Sequence, residues 1–252
     1  MDENRNVIEV KNIRKEYSLR KKERKEKDQR IKVALQNINF SVRQGETYGL
    51  LGANGAGKTT LLRIISGLIS PTKGDVLIHG IKSSSKDLRS HIGFCTSELK
   101  MDDLLTPEYL CDFFASLHHV EETKKRKHRE KLFERFGINE YAHTKIGDLS
   151  TGMKQKVSLA VALAHDPQIV ILDEPTNGLD IFVNRTVQDF IKELQEEGKT
   201  ILVSSHIFSF IEQVCHRVGV IVEGNISAEY SLPLMGESLE AKFFELHEGR
   251  EV

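Results

Sequence analysis

One eight-residue run constrains this chain more than any other feature: Gly52-Ala53-Asn54-Gly55-Ala56-Gly57-Lys58-Thr59, two glycines spanning four residues and then Lys-Thr. A strand-like run, Thr47–Leu51, leads into it. The stretch from Lys58 to Leu68 follows as a helix whose buried face is Leu61, Leu62, Ile64 and Ile65. The spacing has a physical reason. Glycines let backbone N–H groups curl inward around phosphate oxygens where a Cβ would clash, and the helix start adds amides and a dipole that favour an anion. Gly52, Ala53, Asn54, Gly55, Ala56 and Gly57 are therefore expected to cradle phosphates. Lys58 is expected to reach the β- and γ-phosphates of a nucleotide, Thr59 to ligate Mg²⁺, and Thr60 to touch an α-phosphate oxygen.

The rest of the pattern is of the α/β class. Strand candidates are Val7–Val10, Val33–Val42, Thr47–Leu51, Asp75–Ile78, Ile169–Leu172, Thr200–Ser204 and Val218–Val222. They cluster before about residue 80 and after about residue 168, with helices between. This predicts a sheet core interrupted by a helical subdomain. One helix runs from the N-cap Thr106 and Pro107 to Val120, with Leu110, Phe113, Phe114 and Leu117 on one face. Another carries Val183, Val187, Phe190, Ile191 and Leu194 and stops at Gly198. The apolar strand Ile169–Leu172 ends abruptly in Asp173 and Glu174. Ligands of open α/β sheets sit at the carboxyl ends of strands, so both acids are expected to face the phosphates. Asp173 is expected to be a direct or indirect Mg²⁺ partner, and Glu174 to polarise a water in line with the γ-phosphate.

Composition excludes several alternatives. Lys plus Arg number 36 against 37 Asp plus Glu, so the basic surplus of a nucleic-acid-binding protein is absent. No apolar run reaches the roughly 18 residues of a membrane-spanning helix, and the charged opening is unlike a secretory leader. Cys95, Cys111 and Cys215 are scattered and lack metal-ligand spacing, which reads as reduced buried thiols in a soluble, intracellular protein. Two stretches are dense in basic residues: Arg20 to Arg30, with seven basic and three acidic residues, and Lys124 to Lys131. Both read first as solvated surfaces, with a contact to anionic lipid headgroups as the alternative.

Further motifs, taken in order, resemble the ATP-binding subunits of ABC transporters over nearly the whole chain. Leu149-Ser150-Thr151-Gly152-Met153 resembles the family's signature motif, Asn177-Gly178-Leu179-Asp180 its D-loop, and Ser204-Ser205-His206 its switch-histidine segment. Tyr17 stands where the family places an aromatic against adenine. The resemblance implies a P-loop NTPase (RecA-like) core with an antiparallel β subdomain and an inserted helical subdomain. Residues 1–89 and 166–230 would form the core, 90–165 the helical insertion, and 231–252 a C-terminal tail, all as one ABC transporter domain. It implies ATP and Mg²⁺ as cofactors and catalytic roles for Lys58, Glu174 and His206. Ser150, Thr151 and Gly152 would reach ATP held by a second cassette, a copy or a close relative. Ser150 would also cap a helix from Gly152 toward Ala164.

The wording STGMKQK and DEPTNGLD, with the later Ser238-Leu239-Glu240 before Phe243-Phe244, is similar to the bacterial ABC-2 type exporter ATPases for sodium, drug, lipid and polysaccharide export. This implies a peripheral protein at the cytoplasmic face of the cell membrane, working with a separate integral membrane permease and no nucleic acid. The family's loop glutamine is replaced by Ser97, with Glu98 next, so the metal contact expected there falls to a short side chain. Two other functions fit the same residues: a soluble ABC ATPase, and a nucleotide-dependent regulatory subunit that hydrolyses weakly.

Overall fold

The computed structural model describes residues 5–19, 30–96, 100–234 and 236–248. The first half of the chain runs β1 (Asn6–Ser18), β2 (Ile31–Arg43), β3 (Thr47–Leu51), α1 (Lys58–Ile65), β4 (Lys73–Ile78), β5 (Ile81–Lys82) and β6 (Ile92–Thr96). Three helices follow, α2 (Pro107–Leu117), α3 (Glu122–Phe136) and α4 (Thr151–Leu163). The chain then alternates through β7 (Ile169–Asp173), α5 (Ile181–Glu196), β8 (Thr200–Ser205), α6 (Phe208–Val214), β9 (Arg217–Val222), β10 (Asn225–Ser231) and α7 (Leu239–Glu248).

Two sheets form. One is antiparallel in the order β2-β1-β4-β5. The other has the order β10-β9-β3-β8-β7-β6, parallel except for β10, which folds back on β9. Helix α1 lies between the sheets. Its Leu61, Leu62, Ile64 and Ile65 share a core with Ile8, Ile13 and Ile38 of the first sheet and Ile169, Ile171 and Leu202 of the second. The alternate residues Val170, Leu172, Ile201 and Val203 face the opposite way into a core built with α4, α5 and α6. Both faces of β7 and β8 are thus covered, which is why these strands read as continuous apolar runs.

Strand β6 was not expected between residues 80 and 168, yet it pairs in register with β7, Phe94 opposite Ile171. The segment expected as helical from residue 90 therefore opens with a strand of the core sheet. Its sequence hides it because Gly93 breaks the run, and the glycine serves packing: a Cβ there would sit 2.5 Å from the Ala162 carbonyl oxygen of α4. Helix α2 begins as predicted, with Thr106 accepting a hydrogen bond from the Tyr109 N–H at 3.3 Å. Its buried side differs from the expected one. Leu110, Cys111 and Ala115 are buried and Phe114 partly so, whereas Phe113 and Leu117 are 45% and 57% exposed.

The expected tail contains α7, which seats Leu239 and Phe243 in the core, with Phe243 edge-on to Phe208 at 5.2 Å. The basic run on α3 is largely consumed by ion pairs: Lys125 with Glu122, Arg126 with Glu130, Arg129 with Glu108 and Asp112, and Lys131 with Glu197. That dispersal favours the solvated-surface reading over a lipid contact. The other basic run, from 20 to 29, and the Ser97–Glu98 pair lie outside the described residues. All three cysteines are free and buried, and burial pushes the Cys95 and Cys111 thiols up to about 11 and about 12.

Candidate functional site

Register in the parallel sheet brings the predicted residues to one edge. Leu51 pairs with Ser205, Asp173 with Ser204, and Thr96 with Asp173, so β3, β8, β7 and β6 end level with one another. The loop after β3, His206 after β8 and Glu174 after β7 therefore leave the sheet side by side. A Cβ on Gly52 would lie 2.4 Å from the Ile221 carbonyl oxygen, so the loop passes β9 only because that residue is glycine. Gly57 has φ 113°, a conformation that turns the chain into α1 at Lys58.

Lys58 is 5% exposed. Its Nζ donates to the Gly52 and Ala53 carbonyls at 2.6 and 3.2 Å and stands 3.0 Å from Glu174 Oε1. The Lys58 ammonium is thus the charge partner of the buried Oε1. The other carboxylate oxygen lies 2.9 Å from His206 Nδ1. Glu174 itself adopts φ 49°, unusual for a residue with a side chain. Its N–H is held by the Ser204 carbonyl at 3.2 Å and the Ser204 hydroxyl at 3.1 Å.

Asp173 Oδ1 accepts from the Ser204 hydroxyl at 2.7 Å and the Thr59 hydroxyl at 3.1 Å. Burial holds the Asp173 pKa above the ordinary carboxylate value and the neighbouring Glu174 charge adds to this, against those two hydroxyls, which lower it. The Thr59 hydroxyl and the Asp173 carboxylate are hard oxygen donors, the kind that suits a small divalent cation. A cation beside Asp173 would offset the burial that disfavours its charge.

A cavity of about 450 Å³ opens over the loop, lined by Tyr17, Asn54, Gly55, Gly57, Lys58, Thr59, Thr60 and Glu174. Gly52, Ala53 and Ala56, also expected to cradle phosphates, are not among its lining residues. Lys32, Ala34 and Leu19 also line the cavity and were not expected there. Lys32 arrives because it is the antiparallel partner of Tyr17 in β1 and β2, a register that no sequence spacing reveals.

Ser150, Thr151 and Gly152 are elsewhere. They line a second cavity of about 430 Å³ with Gly178 and Asp180, and no residue of the Gly52–Thr59 loop lines it. Ser150 caps α4 by accepting from the Met153 N–H at 3.3 Å. Asp180 caps α5 through the Phe182 and Val183 N–H groups at 2.8 and 3.0 Å.

Residues 35–177 match the family described as "ABC transporter". The chain belongs to that family. It is one of the ATP-binding subunits. The ABC transporter ATP-binding protein NatA of Bacillus subtilis is 36% identical over 208 residues, spanning 81% of this chain and 85% of NatA. The probable multidrug ABC transporter ATP-binding protein YbhF of Escherichia coli is 34% identical over 77% of this chain, which spans 34% of YbhF. Among solved structures, the dimeric post-hydrolysis state of the cassette MJ0796, bound to ADP and phosphate, superposes with a TM-score of 0.80 at 28% identity. That match covers 90% of this chain and all of the other. The P-loop NTPase core expected from the sequence is thus the fold of this ABC cassette. Among the described residues no helix is long and apolar enough to cross a membrane.

Proposed function

We propose that this cassette hydrolyses ATP with Glu174 as the water-activating carboxylate, and that it does so as half of a nucleotide-sandwiching dimer coupled to a separate membrane permease. The observation that carries the chemistry is the state of Glu174. The residue lines the cavity over the loop, with Oε1 beside the Lys58 ammonium at 3.0 Å and Oε2 fixed by His206. Once Lys58 turns to the phosphates, this carboxylate is the base that takes a proton from water as the water oxygen attacks the γ-phosphorus and the bond to the ADP oxygen breaks. Lys58 carries the only side-chain charge of the loop and compensates the phosphate charge. His206 orients Glu174 and meets the γ-phosphate. Tyr17 offers its ring to the base. Mg²⁺, held by Thr59 and Asp173, would neutralise the β- and γ-phosphate oxygens.

The dimer follows from the separation of the two cavities. The N-terminus of α4, capped by Ser150, is an anion-favouring surface with no residue of its own phosphate loop beside it, so a phosphate held by a partner cassette is the ligand we assign to it. A permease partner is supported by the stripe Tyr109, Phe113 and Leu117 on α2, each about half exposed. Export as the direction of transport rests on the similarity of STGMKQK and DEPTNGLD to the ABC-2 type exporter ATPases. These features support a peripheral position at the cytoplasmic face of the membrane. Glu174→Gln tests the core of this reading, because the amide keeps the shape and cannot take the proton. ATP binding should be unchanged and hydrolysis should fall about 10²–10⁴-fold. Wild-type turnover in that variant would remove Glu174 from the mechanism.

A further inference from the structure

A buried side chain of the helical insertion reaches the loop that carries Glu174. Gln155 lies on α4, one turn beyond the Ser150 cap, and is 9% exposed. Its Nε2 donates to the Pro175 carbonyl at 3.2 Å, and Pro175 directly follows Glu174. Ser158, one turn further along the same face, lies 3.4 Å from Cys95 Sγ of β6. The helix thus sets two polar side chains against the edge of the sheet, one on β6 and one on the exit from β7.

The backbone at Glu174 needs such support. A residue with a side chain at φ 49° persists only where its surroundings over-determine it. Ser204 supplies that constraint from the sheet side, through the Glu174 N–H. Gln155 supplies it from the helical side, through the next carbonyl. Replacing it would leave the Pro175 carbonyl without this donor, and the Pro175–Thr176 peptide, the next one along from Glu174, would lose its tie to α4. A carboxylate that must align a water with a phosphorus tolerates little such freedom.

We propose that Gln155 is a positioning residue for hydrolysis, holding the Pro175 carbonyl so that Glu174 keeps its orientation; this rests on Glu174 being the water-activating carboxylate. Gln155 also lines a cavity of about 350 Å³ with Thr96, Met101 and Lys154, between the end of β6 and the helical insertion. Gln155 is thus a polar link between α4 and the loop that carries Glu174.

The test is steady-state ATP hydrolysis by the purified chain. Gln155→Met keeps length and volume but has no donor. It should lower kcat on the order of tenfold while leaving KM for ATP unchanged and lowering the thermal midpoint by only a few degrees. In a Glu174→Gln background the same replacement should cause no further loss of residual turnover, since both act through one group. Wild-type kcat in Gln155→Met overturns the proposal, and so does an additional tenfold loss in the double variant. If Glu174→Gln alone retains full turnover, the reading of Glu174 falls and the proposal with it. Should Gln155→Met fail to fold, Gln155→Lys, which keeps a donor, should outperform Gln155→Glu, which lacks one; equal rates in that pair overturn the proposal.

Discussion

At the scale of residues, Lys58 holds three oxygens at once: the Gly52 and Ala53 carbonyls and Glu174 Oε1. It braces the loop, and on the proposed mechanism the same ammonium turns to the γ-phosphate when ATP binds. Lys58→Ala therefore removes both a brace and the charge that answers the phosphates. Its main effect should be on binding, because a charge-assisted hydrogen bond to phosphate contributes roughly 1.5–3 kcal/mol. ATP affinity should fall at least about tenfold, with circular dichroism unchanged, as measured by isothermal calorimetry. Unaltered affinity would refute the assignment of the loop. The residues of this loop were legible in the sequence because glycine spacing and a following Lys-Thr leave few conformations. Ser204 was not legible as the group that holds both acids. Its role depends on β8 lying beside β7, and a serine at the end of a strand is unremarkable without that neighbour.

At the scale of elements, the helical insertion is tied to the sheet by more than apolar contact. The His165 ring, just past α4, stacks on His118 at the end of α2 at 3.8 Å, and its Nε2 meets the Ile92 carbonyl of β6 at 3.3 Å. His128 of α3 reaches the Leu163 carbonyl at 2.8 Å. Burial first, and then the His118 ring, push His165 down to about 4, and His118 is lowered as well. Since the unfolded chain keeps a histidine pKa near 6.5, it binds more protons than the folded one between those values. Stability is complete above about pH 6.5 and is lost progressively as pH falls toward 4. His165→Asn should flatten that part of the curve of urea midpoint against pH; identical slopes in both proteins would contradict it. Sequence periodicity located α2 and α5 well and misjudged which side of α2 is buried, while α4 was read from Ser150 as a cap in the signature-like motif. An i, i+3, i+4 pattern marks an apolar face but does not reveal whether the protein itself covers it.

At the scale of the whole molecule, the cavity over the loop and the cavity lined by Ser150, Thr151 and Gly152 share no lining residue, which is the basis of the proposed two-chain sandwich. In Glu174→Gln with ATP and Mg²⁺, unhydrolysed nucleotide should hold two chains together, and size-exclusion chromatography should show a dimer. Adding Ser150→Glu should return that variant to a monomer that still binds ATP, because a carboxylate at the α4 cap opposes the partner's phosphate. A dimer that survives Ser150→Glu would count against the sandwich. The sequence by itself determined the phosphate loop, the strand-end acids, the order of the motifs and the α/β class, because each rests on local backbone chemistry or on a short periodic pattern. Only the tertiary structure decided that β6 joins the core sheet, that Lys32 faces the cavity beside Tyr17, and that Gln155 holds the carbonyl after Glu174. These depend on strand register and helix packing between residues far apart in the chain, and such contacts leave no repeat or spacing in the sequence to read.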